Sequence, residues 1–370
     1  MLFHALRRQG RADTGSHRHK GFQTVARLPL NTITQWISAA ALQHPDRLDA
    51  ELAARTGQSL RSARSTLTRL VELNWLAREG SARRPRWRPG LLRQVVQRYE
   101  LRGLEEDLPW ALDFAPFFDL PTGLNRLVQH TFCELLNNAI DHSGGSHVTV
   151  SLRQTASQVQ LLVCDNGLGL FGRIAQDFAI ADPGLAMLEL SKGKLTSQPQ
   201  RHSGEGLFFA SRLADVFDLH ANAVAFQRRA WDERGWRPQP RALKETGTSV
   251  YAAFALDTPR TLESVRQPYS ADGRGLDFAR TVVPLHLIAS EQVGLESRAQ
   301  ARRVHARLAA FARAELDFAG VPTIGQAFAD ELFRVAAPTR PQLELVPVNM
   351  TSAVAAMVAG VAQAAPPQAS

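Results

Sequence analysis

The apolar positions in the middle of the chain change from one spacing to another. Over residues 122–142 they recur every three or four positions, which is typical of an amphipathic helix. These positions are Leu124, Leu127, Val128, Leu135, Leu136 and Ile140. Residues 158–164 are mostly β-branched and apolar, which predicts a buried strand, and residues 207–216 return to helical spacing. Helix, strand and helix in this order predict an α/β domain.

A separate pattern occupies residues 30–90. Helical spacing predicts helices over 33–42, 46–55 and 59–73, with Thr32 as an N-cap and Thr56-Gly57 ending the second. The third helix would bury Leu60, Leu67, Leu70 and Leu73. Short strands at 75–78 and 86–88 flank Glu79-Gly80-Ser81, which predicts a hairpin.

The rest of the chain divides into a connector, a linker and a third domain. Residues 91–121 form the connector, whose first part, 91–101, has a helical pattern. Residues 258–275 are polar and are interpreted as a linker. Strand-like runs then alternate with helical ones, which predicts a small α/β domain over 276–370. The predicted strands are 281–288, 315–321 and 342–348, and the predicted helices are 296–313, 326–335 and one from Thr351 onward.

Composition limits the class of protein. A chain of 370 residues with 44% apolar residues has room for two or three domains. Its two cysteines, Cys133 and Cys164, fall in predicted core elements, which indicates a reducing compartment. No stretch reaches the roughly 18 apolar residues of a membrane span, and the first residues lack the apolar core of a signal peptide. We therefore expect a cytoplasmic protein.

The positive charge is concentrated in the N-terminal part. Residues 1–90 hold 16 Lys and Arg against 6 Asp and Glu, a net of +10, whereas the whole chain is +8. Residues 1–29 read as a flexible basic arm. Three helices and a basic hairpin over 30–90 resemble a winged helix-turn-helix, which implies DNA binding with the third helix in the major groove. Because such folds also bind proteins, a protein partner is the alternative. The implied DNA-binding residues are Arg61, Arg64, Arg69, Arg83, Arg84, Arg86 and Arg88.

Three short segments carry candidate chemistry. In the first, Glu134 and Asn138 are four residues apart and share one face of the predicted helix. A carboxylate beside an amide oxygen suits a Mg²⁺ and phosphate corner, since Mg²⁺ takes few protein oxygens. A polar stripe facing solvent is the alternative interpretation.

The second and third segments lie after the predicted strand. Asp165 ends that strand, placed to accept a hydrogen bond from an amino group, and Gly167 and Gly169 allow a ligand to approach the backbone. Gly204 and Gly206 open a predicted helix, and a glycine turn at a helix N-terminus is a ready anion site.

In this order the three segments resemble the ATP-binding domain shared by gyrase, Hsp90, MutL, histidine kinases and anti-sigma-factor serine kinases, over residues 122–257. The resemblance implies ATP and Mg²⁺ as cofactors. It assigns Mg²⁺ to Asn138, the adenine amino group to Asp165 and the general base to Glu134. The other implied binding residues are Gly167, Gly169 and Thr248 around adenine, and Gly204, Gly206 and Leu207 at the phosphates. His142 matches a phosphate-side position, with a packed or solvated histidine as the alternative.

Residues 171–202 correspond to the lid of such domains. Lys192 and Lys194 would reach the γ-phosphate when this lid closes, or else they are surface charges. The connector lacks the histidine-bearing helical hairpin that a histidine kinase would carry.

Residues 316–334 resemble the STAS fold of anti-sigma-factor antagonists, and more closely the STAS-like domain found behind ATP-binding domains of this type. The antagonists carry a phosphorylatable serine at the start of this helix, where Gln326 and Ala327 stand here. A docking, dimerising or sensing role is therefore expected for this domain.

The predicted architecture is α/β multidomain: winged helix-turn-helix, ATP-binding α/β sandwich and STAS-like α/β domain. The leading hypothesis is a transcriptional regulator whose DNA or partner binding is switched by ATP binding and hydrolysis. The alternative is a serine/threonine protein kinase of the anti-sigma-factor type, and a scaffold without turnover is the third. A protein partner at the STAS-like domain is expected, and homodimerisation is left open.

Overall fold

The computed structural model describes residues 29–81, 84–197, 199–200, 203–239, 246–289 and 294–363. It divides into two compact units. The smaller unit holds residues 29–96 together with Leu112–Asp119 and Ser151–Ala156. The larger unit holds Gln97–Ala111, Leu120–Val150 and the described residues from Ser157 onward.

The smaller unit has helices followed by a hairpin. The helices are α1 (Leu30–Ile33), α2 (Ile37–Gln43), α3 (Leu48–Thr56) and α4 (Leu60–Glu72). The antiparallel strands β1 (Leu76–Gly80) and β2 (Pro85–Pro89) follow. Gly57 ends α3 in the left-handed conformation, and the Ser59 hydroxyl accepts a hydrogen bond from Ser62 N to begin α4.

Two predictions in this region were wrong in detail. Thr32 lies inside α1, whose N-cap is Pro29, because the helical path begins at Leu30, before the predicted start, and is interrupted between α1 and α2. Leu60 and Leu73 are about half exposed, at 49% and 45%, since they stand at the two ends of α4. The middle of α4 buries Leu67 and Leu70 in a core with Trp75.

The larger unit contains most of a mainly antiparallel sheet and the helices that cover it. The strands of this sheet are β3 (Arg93–Glu100), β4 (His147–Gln154), β5 (Gln158–Asp165), β6 (Val216–Ala221), β7 (Val224–Arg229), β8 (Trp236–Pro238) and β9 (Thr248–Ala255), and only Arg93–Val96 of β3 and Ser151–Gln154 of β4 belong to the smaller unit. Among the described residues these seven strands form one sheet in the order β3-β4-β5-β9-β6-β7-β8. The helices are α5 (Asp107–Pro109), α6 (Thr122–His142), α7 (Leu170–Phe178), α8 (Pro183–Lys192) and α9 (Gly206–Leu213).

Residues 91–101, predicted as helical, instead contain strand β3. The Val95-Val96 pair favours extended backbone through its β-branched side chains. This segment becomes a strand because it pairs with β4, which is about 50 residues away in sequence. The local spacing of apolar residues does not reveal such a partner.

The C-terminal part of the larger unit is a three-stranded parallel sheet with helices. A short helix α10 (Leu262–Arg266) lies in the segment interpreted as a linker. The strands β10 (Arg280–Pro284), β11 (Arg313–Asp317) and β12 (Glu344–Val348) pair in that order. The helices are α11 (Arg298–His305), α12 (Gln326–Ala329), which continues as a π-helix over Asp330–Ala336, and α13 (Ser352–Gln363). The predicted α/β class is confirmed.

One apolar core is shared by the two parts of the larger unit. Leu188 of α8 and Phe208 and Phe209 of α9 belong to the same buried cluster as Phe278 and Val283. The rings of Phe208 and Phe278 lie 4.5 Å apart. The C-terminal domain is therefore packed directly onto α8 and α9.

Across the ranges that the structure describes, no helix is both long and apolar enough to cross a membrane.

Candidate functional site

A cavity of about 330 Å³ lies in the larger unit, between α6, the ends of β5 and β9, and the segment from α7 to α9. It brings together residues from all three predicted segments. The predicted site residues that line it are Glu134, Asn138, His142, Asp165, Gly169, Gly204, Gly206, Leu207 and Thr248. Gly167 lies beside the cavity without being part of its wall.

Helix α6 contributes one polar face to this cavity. Glu134, Asn138 and His142 follow one another at four-residue spacing, and each is half-buried. Asn137, which the sequence prediction did not single out, lines the cavity as well.

The N-terminus of α9 lies against Glu134. A Cβ built on Gly206 would stand 1.8 Å from Glu134 Oε2, so a larger residue there would displace this carboxylate from its position. The first N–H groups of a helix have no partner within the helix, which makes this end attractive to negative charge. The general-base candidate thus lies at the anion-attracting end of α9.

Asp165 occupies the end of β5 and is 6% exposed. Its Oδ1 accepts hydrogen bonds from Gly167 N at 2.9 Å and Thr248 N at 3.1 Å. Gly247, with φ +96°, lets the backbone just before β9 lie close to the Asp165 carbonyl, since a Cβ on Gly247 would be 2.2 Å from that oxygen. Two backbone donors on one oxygen fix the orientation of the carboxylate.

Gly167 acts through packing. A Cβ at Gly167 would stand 2.1 Å from the Ser143 carbonyl oxygen, and that same oxygen accepts from Leu168 N at 2.9 Å. The loop after β5 is thereby held against the C-terminal end of α6. Thr248 anchors the other end of this loop, because its hydroxyl accepts a hydrogen bond from Leu170 N at 3.0 Å.

Asn222 is a site residue that the sequence reasoning missed. Its side chain donates to the Leu168 carbonyl at 2.8 Å and accepts from Gly247 N at 3.1 Å, so it joins the two loops that flank Asp165. Strands β6 and β7 form a hairpin that turns at Asn222, whose φ is +53°. An asparagine between two apolar runs is a hairpin signal that would have identified this turn.

Other unpredicted residues complete the wall. Arg173 and Asp177 line the cavity and form an ion pair at 3.3 Å on one face of α7. Phe178 follows them. Among the described residues, no group of three or more His, Cys, Asp or Glu side chains is placed to hold a metal ion.

The two lid lysines lie away from the cavity wall, and their predicted contact with the γ-phosphate in a closed lid stays a prediction. In this conformation neither Lys192 nor Lys194 lines the cavity, and Lys192 is fully buried instead of lying on the surface. Leu190 and Leu195, from the same segment, do line it.

The predicted DNA-binding arginines lie on the surface of the smaller unit. Three of them form ion pairs, Arg64 with Asp49 at 2.8 Å, Arg86 with Asp46 at 3.7 Å and Arg88 with Glu79 at 2.9 Å. Arg61, Arg69 and Arg84 are also exposed, and Arg83 lies outside the described residues. DNA binding stays a prediction.

Comparison with protein families gives two matches. Residues 123–256 match the model of the histidine kinase-, DNA gyrase B- and HSP90-like ATPases. This range contains the entire wall of the cavity. The chain carries an ATPase domain of this superfamily. Residues 300–355 match a STAS-like domain of unknown function. None of the curated proteins compared with the chain matches it.

The ATPase domain supports ATP binding with an ATPase- or kinase-like function. The cavity fits that ligand, because it combines a buried, oriented carboxylate with glycines that approach its wall closely. The winged helix and the anti-sigma kinase subtype stay predictions.

Proposed function

We propose that this chain is an ATP-binding regulator, in which ATP binding and hydrolysis change the binding of DNA or of a partner protein. The observation that carries the proposal is the cavity with Asp165 at one end of its wall and Glu134 at the N-terminus of α9. A site of this kind both holds a nucleotide and presents a base to it.

Different residues of the cavity would bind the adenine, the Mg²⁺ ion and the phosphates. Asp165, with Oδ1 held by Gly167 and Thr248, would accept a hydrogen bond from the adenine amino group. Asn138 would supply a side-chain oxygen to Mg²⁺, and the backbone at Gly204 and Gly206 would face the phosphates. Bound Mg²⁺-ATP supplies a phosphoryl group that is ready for transfer to an acceptor oxygen.

Glu134 is the group that would take the proton from that acceptor. A general base acts within hydrogen-bond reach of the proton that it removes, and Glu134 lines the cavity beside Gly206. If water is the acceptor the protein is an ATPase, and if it is a partner's hydroxyl group the protein is a kinase.

The proposed output is the basic N-terminal part. A net charge of +10 over residues 1–90 favours an anionic partner such as DNA. ATP can shift DNA binding only to the extent that it binds the DNA-bound protein more or less tightly than the free protein.

The test is a DNA-binding titration with and without Mg²⁺-ATP, on the intact protein and on Asp165→Asn. In the variant one oxygen becomes an N–H donor. Because backbone donors hold Oδ1, the new donor takes the other position and repels an adenine amino group. We expect ATP affinity to fall about 30-fold, equivalent to ~2 kcal/mol, and the effect of ATP on DNA binding to disappear.

Asp257→Asn is the matched control, because Asp257 is an exposed carboxylate in the same domain, outside the cavity wall. If ATP binds but the intact protein never binds DNA, the N-terminal module is a protein-docking domain. Labelled ATP then identifies the acceptor: free phosphate indicates hydrolysis, and label on one specific protein of a lysate indicates a kinase. In both reactions Glu134→Ala should stop turnover.

A further inference from the structure

Helix α8 of the lid is attached to the STAS-like domain at both of its ends. At its first turn, a Cβ on Gly184 would stand 2.5 Å from the Leu287 carbonyl oxygen. Just after its last turn, a Cβ on Gly193 would stand 2.5 Å from the ring of Phe278. The helix approaches the C-terminal domain so closely that side chains are excluded at both points.

Lys192, the last residue of α8, makes the central contact. It is 1% exposed, and its Nζ donates to Glu189 Oε1 at 2.7 Å and to the carbonyl oxygens of Ala306 at 3.0 Å and Arg303 at 3.3 Å. An ammonium has three donors, and all three are used. The two carbonyls stand at the C-terminal end of α11, where a helix carries partial negative charge and favours a cation.

Neighbouring bonds strengthen this attachment. Thr281 Oγ1 donates to the Lys192 carbonyl at 2.6 Å, and Lys194 Nζ donates to the Ala310 carbonyl at 2.9 Å. Arg307 reaches Glu189 at 3.6 Å. Burial lowers the pKa of Lys192, and the charge of Glu189 opposes that shift. A buried charge is tolerated only with such partners, so the contact is specific to this docked arrangement.

The same segment forms part of the cavity wall. Leu190, Leu195, Thr196 and Ser197 line the cavity, and Lys194 N donates to the Gly204 carbonyl at 3.1 Å. Only two residues therefore separate Lys192, which is fixed to α11, from Leu195, which lines the cavity. A shift of α11 cannot leave this part of the wall unchanged.

We propose that Lys192 is a positioning residue that clamps the ATP lid onto the STAS-like domain, so that docking of this domain sets the nucleotide affinity of the cavity. The inference rests on the proposed ATP-binding function and adds its regulation. A partner that draws the STAS-like domain away would release the lid. By linkage, bound ATP would strengthen the docking by the same factor.

The first test changes Lys192 and its partner. Lys192→Met keeps the length of the side chain and removes the three bonds, and we expect ATP affinity to fall about tenfold in a calorimetric titration. This single variant leaves Glu189 without its principal partner, which lowers stability. Lys192→Met combined with Glu189→Gln relieves that charge. We expect the double variant to regain thermal stability but not ATP affinity, a separation that a purely structural role would not produce.

The second test loosens docking without touching a charge. Gly184→Ala places a methyl group against Leu287, whereas Gly172→Ala, in the neighbouring helix α7, meets only the Asn222 side chain at 4.0 Å. Alanine favours a helix over glycine at both positions, so propensity cannot explain a loss. We expect Gly184→Ala to bind ATP roughly threefold more weakly than the intact protein, and Gly172→Ala to bind it with unchanged affinity.

Hydrogen exchange measured without nucleotide tests directly whether Lys192 holds α8 against α11. Residues 303–311 should lose protection in Lys192→Met and in Gly184→Ala relative to the intact protein and Gly172→Ala. ATP affinity that is unchanged or tighter in the double variant, or equal in the two glycine variants, overturns the inference while leaving ATP binding intact. Failure of the intact protein to bind ATP overturns the proposed function and this inference with it.

Discussion

Cys133 precedes the general-base candidate Glu134 on α6 and has an unusual thiol. Burial, together with the carboxylates of Glu106, Glu134 and Asp107, raises the pKa of Cys133 from 9.0 to about 11. The thiolate is the reactive form, so a raised pKa makes the native thiol inert at neutral pH. Cys133 is therefore no candidate for redox or nucleophilic chemistry beside the site.

Alkylation measures this effect. At pH 8 we expect Cys133 in the native protein to react with iodoacetamide roughly a hundredfold more slowly than in the denatured protein, as two pKa units imply. The rate should rise towards pH 11, and peptide mass spectrometry distinguishes Cys133 from Cys164. Because the folded pKa is the higher one, the associated stability is complete below pH 9 and is lost as the pH rises through about 11. Equal rates in the native and denatured protein at pH 8 would contradict the assignment.

At the scale of single residues, the sequence identifies those whose partners are close along the chain. Helical spacing placed Glu134 and Asn138 on one face of a helix and the apolar run placed Asp165 at a strand end, and all three line the cavity. Asn222 and Lys192 were misjudged because their partners lie 25 or more residues away, at Gly247 and Ala306. A side chain whose role depends on such a contact has no local signature.

Helix α4 shows how much of one element depends on its cap. Ser59 has extended backbone, and its hydroxyl accepts from Ser62 N at 3.2 Å. This bond satisfies one of the N–H groups that the first turn leaves without a partner. The same helix carries Arg61, Arg64 and Arg69, so its N-terminus also fixes the predicted DNA-binding face.

Ser59→Ala should lower the free energy of unfolding of the smaller unit by about 1 kcal/mol. Urea unfolding followed by tryptophan fluorescence reports this unit through Trp75 and Trp87, which lie in its core. Ser65→Ala, at an exposed position in the middle of α4, is the control and should be neutral or slightly stabilising. Equal losses in the two variants would show that the cap contributes nothing.

Among the elements, the strands that pair with distant segments were the hardest to predict. Strand β5 was predicted correctly because its short run of mostly apolar and β-branched residues ends at Asp165, whereas β3 was taken for a helix. Helix α11 was predicted over 296–313 and covers only Arg298–His305, since Arg307 adopts φ +58° and ends the helical path. The amphipathic spacing of the sequence continues past this break in the backbone, so the spacing alone predicts too long a helix.

At the scale of the whole molecule, the uneven charge gives a salt-dependent prediction. If the smaller unit binds DNA, each arginine on a phosphate contributes about 0.9 to the slope of log K against log salt. Arg69 is exposed, whereas Arg64 is already paired with Asp49 at 2.8 Å. Arg69→Gln should therefore reduce the slope by about 0.9, and Arg64→Gln by clearly less.

Titration of one DNA duplex between 50 and 200 mM salt gives both slopes. The two variants carry the same change on the same helix, so a difference between them reports the ion pair with Asp49. Identical slopes for both variants and the intact protein would remove Arg69 and Arg64 from the interface. Retained DNA binding would then have to use other parts of the basic surface.

The domain types followed from motif order, and the ATPase and STAS-like domains agree with the family matches. The motif order did not predict how the ATPase and STAS-like domains pack against each other. Segment 258–275 is polar and reads as a linker, yet Tyr269 packs against Phe208 with ring centroids 5.0 Å apart. A polar composition describes most residues of a segment and misses the one aromatic ring that fixes its path.

The ATPase and STAS-like domains share one buried core, which restricts how the gene can recombine. This core includes Leu188, Phe208, Phe209, Phe278 and Val283. A gene fragment encoding either domain alone would produce a chain with uncovered phenylalanine rings, prone to aggregate before it could be selected for any activity. Recombination between relatives should therefore preserve the two domains as one block.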